Sequence, residues 1–264
     1  MLALITGGSG FIGQRLSRKL RENGVNVRDF SHPQGNVLDK RAVEAAVKGC
    51  DIVFHLAAVL EEDNPQIFEV NVEGTKNVLE ASAKNGVKHF VFLGTVGVHG
   101  NTTGLVDEKT PLNPSTAYEK SKASAEELVL SYQEALAVTV VRSALVLGPN
   151  KYWKKIIEMI AKDTPMPGNG ENHWQAIYVD DLVDCLTFIG LNEDAFSEVF
   201  IAAEQKPKKL REIVEFVRKK KGLTGQVKTM PVWLAKIIAG MRSFVSGIFG
   251  EKVFFTPAII DRTV

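Results

Sequence analysis

Much that would mark an exported, membrane-spanning or nucleic-acid-binding protein is missing from this sequence. Only two of its 264 residues are cysteine, Cys50 and Cys185, far apart and without metal-ligand spacing. They read as reduced thiols of a cytoplasmic protein, and no metal site is expected. Neither sign of charge is in excess: 32 lysines and arginines face 31 aspartates and glutamates, so there is no electrostatic case for nucleic acid. The basic run Arg218-Lys219-Lys220-Lys221 ends a predicted helix, where cations suit the dipole, and reads as a solvated terminus. The N-terminal "MLALITGG" lacks the basic n-region and apolar run of a signal peptide. No stretch reaches the roughly 20 mostly apolar residues of a spanning helix. Residues 232–249 come nearest, but Lys236, Arg242 and Ser243 interrupt them, which predicts an amphipathic helix covering a core or an apolar pocket. Internal repeats and low-complexity tracts are absent too.

What remains is ordinary globular composition, 45% hydrophobic and 24% charged. The length suits one large domain or a domain with a smaller lobe. Strand-like apolar runs at 2–6, 25–30, 51–58, 89–95 and 138–146 alternate with helical periodicity, including a short helix at about 40–48 and a longer one at about 64–85. This order predicts an α/β fold, a Rossmann-type doubly wound parallel sheet whose ligands bind beyond the carboxyl ends of the strands. Residues 1–150 are expected to form the dinucleotide-binding domain, with 173–205 returning to the sheet. Residues 151–172 and 206–264 are expected to form a small C-terminal substrate lobe that the end of the chain cuts short.

Two motifs carry chemistry. "TGGSGFIG" (6–13) joins the first strand to the first helix. Gly7, Gly8, Gly10 and Gly13 satisfy the spacings of a turn that lets a pyrophosphate approach the backbone at a helix N-terminus. "STAYEKSKASAEE" (115–127) places Tyr118 and Lys122 four apart, on one face of a predicted helix. A solvated face would account for that pair. The other reading is acid–base chemistry, because a close cation stabilises a phenolate and brings its proton within reach of neutral pH.

Together with "DIVFHLAA", "NVEGTKNVLEA" (71–81), "RSALVLGP" (142–149) and "YVDDLVD" (178–184), these motifs resemble the extended short-chain dehydrogenase/reductase, or NAD-dependent epimerase/dehydratase, family over residues 2 to about 205. The 232–249 stretch and "VFFTP" are similar to its hydroxysteroid dehydrogenase and dihydroflavonol reductase branch. The resemblance implies an oxidoreductase with NAD or NADP in the crevice. Phe11 and Ile12 would line the pyrophosphate turn, Asn36 and Val37 the adenine, and Leu56, Ala57 and Ala58 the path to the nicotinamide. Asn71 matches a buried asparagine. Tyr118 would be the acid/base, Lys122 the residue that holds the nicotinamide ribose, and Thr95 the hydroxyl on the substrate oxygen. A homodimer is common in the family.

The departures bear on specificity. Ser31 stands where the family has a ribose-binding acid, with Asp29 two residues earlier. That removes repulsion against a 2′-phosphate, which His32 or Arg28 would help bind, and tilts the choice toward NADP while leaving NAD open. Leu145 and Trp174 replace polar or cationic groups that sugar-nucleotide members direct at a diphosphate. A mostly apolar secondary alcohol is therefore the expected small-molecule substrate. Sugar-nucleotide 4-epimerisation or dehydration is the enzymatic alternative, and a dinucleotide-sensing or assembly subunit the non-enzymatic one. His55 is expected to pack rather than react, His99 occupies a place where the family often has Tyr, and Asp180 and Asp181 are expected to cap a helix.

Overall fold

A computed structural model describes residues 1–32, 35–102, 104–249 and 260. "VFFTP" (253–257) lies outside the described residues. The chain divides into two compact units, 1–146 with 177–203, and 147–176 with 204–264.

Unit 1 holds one parallel sheet. Its strands are β1 (Leu2–Thr6), β2 (Asn26–Phe30), β3 (Ile52–His55), β4 (His89–Thr95), β5 (Val138–Ser143) and β6 (Val199–Ala202). They lie in the order β6-β5-β4-β3-β1-β2, every pair parallel. The order reverses between β1 and β3, which opens a crevice at their carboxyl ends. Helices α1 (Gly13–Glu22), α2 (Lys40–Val47), α3 (Gly74–Lys84) and α4 (Ala117–Leu130) make the crossovers. α6 (Val179–Leu191) follows α5 (Lys151–Ala161), which belongs to unit 2. β3 to β5 are buried on both faces because alternate residues feed two cores. Phe90 and Phe92 enter one with Val43, Val78 and Val129; Phe54 and Val91 enter the other with Leu16, Leu182 and Leu186. At Gly190 α6 lies so close to the sheet that an added Cβ would fall 2.2 Å from the Phe54 ring.

The expected helix at 64–85 is present with one irregularity. A π-helical turn, Glu69–Glu73, precedes α3. Asp180 and Asp181 lie in the first turn of α6, but Tyr178 occupies the N-cap without a side-chain cap. Asp180 instead pairs with Arg15 at 3.5 Å.

Unit 2 contains α5, α7 (Leu210–Lys220) and α8 (Val232–Phe249), with short strand pairs between them. Met166, Leu210 and Val214 form its small core, with Trp174 packed against it. The expectation of a solvated basic run needs correcting. Arg218 is buried, pairs with Asp163, and donates to the Thr224 and Gln226 carbonyls, while Lys219, Lys220 and Lys221 are exposed.

Two histidines of unit 1 couple the fold to pH. Burial lowers His55 to about 3 and His89 to about 4. Both are neutral in the folded protein at pH 5, whereas the unfolded chain takes up their protons below about 6.5. Stability should therefore fall as pH drops from about 6.5 toward 4, by about 1.4 kcal/mol per unit for each histidine. Urea unfolding at pH 7 and pH 5 measures this before carboxylates begin to protonate. Equal stability at the two pH values would mean that both imidazoles gain protons in place.

Candidate active site

Thr6, at the end of β1, accepts hydrogen bonds at its Oγ1 from the Leu56 and Ala57 N–H groups, both 3.2 Å. This fixes the start of the β3 loop against the glycine turn. Gly7, at φ +73°, packs there directly: a Cβ would meet the Ala57 nitrogen at 3.0 Å. Gly13 fills the third role of the motif, since its Cβ would fall 2.3 Å from the Gly7 carbonyl oxygen. Gly10 donates to that oxygen at 2.9 Å, and a Cβ on it would meet nothing else within 4 Å. Among the described residues the N–H groups of Phe11, Ile12 and Gly13 make no backbone hydrogen bond, so the turn offers open donors at the start of α1. Arg15, which sequence reading passed over, lies with its guanidinium 4.5 Å from the Phe11 ring centroid and donates to the Phe11 carbonyl.

The residues at the far side of β2 are placed as follows. Ser31 follows β2, and its Oγ accepts from the Ser9 N–H at 3.2 Å. Asp29 lies under the turn, its Oδ2 bound by Arg21 and Ser17 and its Oδ1 buried beside Gly8 without a partner among the described residues. Arg28 corrects an expectation, because its guanidinium donates to the Ala46 and Lys48 carbonyls at the end of α2. One terminal nitrogen is thereby taken up at the end of α2. Asn36 is exposed and caps its own turn through Leu38 N–H. Val37 is buried, its carbonyl accepts from Asn77, and the missing side chain of Gly74 makes room for it.

A chain of hydrogen bonds crosses the crevice floor. Thr75 donates to the Asn71 carbonyl at 2.6 Å, so its oxygen accepts from His55 Nε2 at 2.8 Å. His55 Nδ1 is then an acceptor and takes the Thr6 hydroxyl proton at 2.7 Å. Asn71 is buried. It clamps both backbone groups of Val59, next to Ala58, and donates to Ser121 Oγ, which donates to the Tyr118 carbonyl. His55 thus packs and positions, as the sequence suggests.

α4 begins with a capping box. Thr116 accepts from Glu119 N–H, and Glu119 accepts from the Ser115 and Thr116 N–H groups. The Tyr118 N–H donates to Glu62 Oε2 at 3.1 Å. Glu119 lies against Gly97, two residues past Thr95, which brings the first turn of α4 to the end of β4. One turn on, Lys122 is buried with its ammonium 4.0 Å from the Phe92 ring centroid. Burial pushes it down to about 7 against the opposing pull of Glu126. Among the described residues its ammonium has no hydrogen-bond acceptor. The Thr95 hydroxyl oxygen accepts from Gly97 N–H at 3.1 Å, leaving its proton to donate outward.

Behind this floor is a buried ion pair that sequence reading missed. Glu126 Oε1 accepts from Arg142 Nε and a terminal nitrogen at 3.0 and 2.6 Å. Arg142 also donates to His99 Nε2 at 3.2 Å and to the Glu108 carbonyl at 3.0 Å. Glu126 Oε2 is buried beside Gly94 without a partner among the described residues. His99 therefore serves Arg142 rather than the crevice. Trp174 packs within unit 2, its ring centroid 6.4 Å from that of Trp153.

Residues 3–202 match the family model described as NAD dependent epimerase/dehydratase family. An N-acetyl-alpha-D-glucosaminyl-diphospho-ditrans,octacis-undecaprenol 4-epimerase of Escherichia coli O157:H7 is 30% identical over 75% of this chain and 65% of its own length. A 3-beta-hydroxysteroid dehydrogenase of Mycolicibacterium neoaurum is 35% identical over 60% of this chain and 51% of its own. The chain thus spans half to two thirds of these two relatives. Among solved structures, a UDP-glucose 4-epimerase of Thermotoga maritima with UDP-glucose superposes with a TM-score of 0.78 at 25% identity, over 88% of this chain and 86% of that one.

Proposed function

The chain belongs to the NAD-dependent epimerase/dehydratase family, and from that membership we propose that it is an oxidoreductase acting at a secondary alcohol or ketone carbon of a mostly apolar small molecule. The observation that carries this reading is the α4 arrangement: Tyr118 on a capped first turn at the end of β4, with the buried, acceptor-less Lys122 one turn behind. The open donors of the glycine turn and the bare face of Gly10 fit a dinucleotide pyrophosphate. Bound there, the nicotinamide supplies the hydride acceptor or donor. Tyr118 holds the proton that the substrate oxygen loses or gains, Lys122 offers its charge and donors beside it, and Thr95 donates a hydrogen bond to the same oxygen. Arg28 points one guanidinium nitrogen at the end of α2, which, with membership of an NAD-dependent family, favours NAD.

A second reading is epimerisation or dehydration of a sugar carried on a diphosphate. The similarity to the undecaprenol-linked sugar 4-epimerase supports it as well as the steroid dehydrogenase supports the first. Nicotinamide absorbance separates the two. Net reduction of NAD with a hydroxysteroid or similar alcohol supports the first. Conversion of a UDP-sugar without net absorbance change sinks it in favour of the second.

Gly10→Val tests the dinucleotide site itself. The added side chain would stand where the pyrophosphate must approach, so affinity for NAD(H) measured by calorimetry should drop at least about tenfold, or 1.4 kcal/mol. Unchanged affinity would remove the turn from the site.

A further inference from the structure

Unit 2 differs in charge from the rest of the chain. It holds 17 of the 32 lysines and arginines but 8 of the 31 aspartates and glutamates, within a chain whose net charge is +1. It also carries an apolar surface. α8 buries Ala235 and Ala239 against Met230, Val232 and Ile260. Its other side leaves Trp233 64%, Ile237 51% and Met241 65% exposed, with Ile238 beside them. Positions i, i+4 and i+8 form one stripe along a helix. Residues 232–249 include Lys236 and Arg242 and no carboxylate. The sequence suggested an amphipathic helix covering a core or an apolar pocket; α8 packs on a small core along one side and leaves this stripe exposed.

We propose that unit 2 docks on an anionic lipid bilayer, with α8 lying in the interface plane and Trp233, Ile237 and Met241 at the boundary between headgroups and acyl chains. An interfacial helix combines an apolar stripe with an aromatic anchor, and α8 has both within a unit of net positive charge. Neighbouring lysines add attraction to anionic headgroups. Nucleic acid would use the cations but leave the stripe in water. A second copy of the same basic unit would meet like charge. Among the described residues no helix is long and apolar enough to cross a membrane, so the contact is peripheral. This inference does not depend on which substrate the active site takes.

The test is co-sedimentation of the full chain with phosphatidylcholine vesicles, with and without phosphatidylserine. Binding is expected with phosphatidylserine, weakening without it and as salt rises. The triple variant Trp233→Ser, Ile237→Ser, Met241→Ser should bind at least about tenfold more weakly, since it removes most of the inserted apolar area. Its melting temperature should stay near the parent's because these side chains are exposed. Three results would overturn the proposal: no binding of the parent to anionic vesicles, equal binding by parent and variant, or a parent that dimerises through this stripe or retains duplex DNA while ignoring vesicles.

Discussion

Tyr118→Phe is expected to lower kcat by about 10²–10⁴-fold while leaving dinucleotide affinity near the parent's. The substitution deletes the transferable proton and keeps the ring. The first turn of α4 is held by Thr116, Glu119 and Glu62 through backbone N–H groups, so the helix should keep its place. Lys122 stays buried over Phe92, and the hydrogen bonds from Thr6 to Ser121 reach the Tyr118 carbonyl rather than its side chain. The measurement is steady-state turnover paired with calorimetric NAD binding. Parent-like turnover with intact binding would remove Tyr118 from the chemistry and favour a dinucleotide sensor over an enzyme.

Arg142→Met should destabilise the fold by about 3–5 kcal/mol, on the order of 10 °C in melting temperature. Glu126 is fully buried, and among the described residues its carboxylate bonds only to Arg142, with the second oxygen unpartnered. Losing the guanidinium strands a carboxylate inside the protein. Arg142 also satisfies the Glu108 carbonyl and His99 Nε2, which would be orphaned together. Replacing both partners, Arg142→Met with Glu126→Leu, should return most of the loss, because two apolar side chains pay no charge desolvation. A single variant that melts with the parent would show that the pair is hydrated and of little weight.

The glycine turn, the alternation of strands and helices and the Tyr118 helix were legible because each is local. A buried parallel strand reads as an apolar run, a phosphate turn as glycines at fixed spacing, and a helix face as a period of four. Arg142 and Glu126 were illegible for the opposite reason. They stand 16 residues apart, and Glu126 occupies an alanine-, glutamate- and lysine-rich helix whose composition is that of a solvated one. Arg218 misled in the same way, since three exposed lysines follow it and nothing local announces its pairing with Asp163. Arg28 was assigned by nearness in sequence to the end of β2, whereas its guanidinium reaches the carbonyls ending α2. The unpaired apolar stripe of α8 was beyond sequence reading as well, because periodicity reveals that a face is apolar and not whether anything covers it.

The π-helical turn at Glu69–Glu73 has a consequence for how this protein can vary. Such a turn is an α-helix holding a surplus residue, and here the surplus surrounds Asn71, whose side chain and carbonyl tie Val59, Ser121 and Thr75 together. Removing one residue would restore regular winding and swing Asn71 by about a quarter turn away from those partners. Substitutions on the outer side of the turn leave the count intact, whereas a deletion does not. Chain length is therefore fixed to the residue at this point, and length changes are confined to the surface loops.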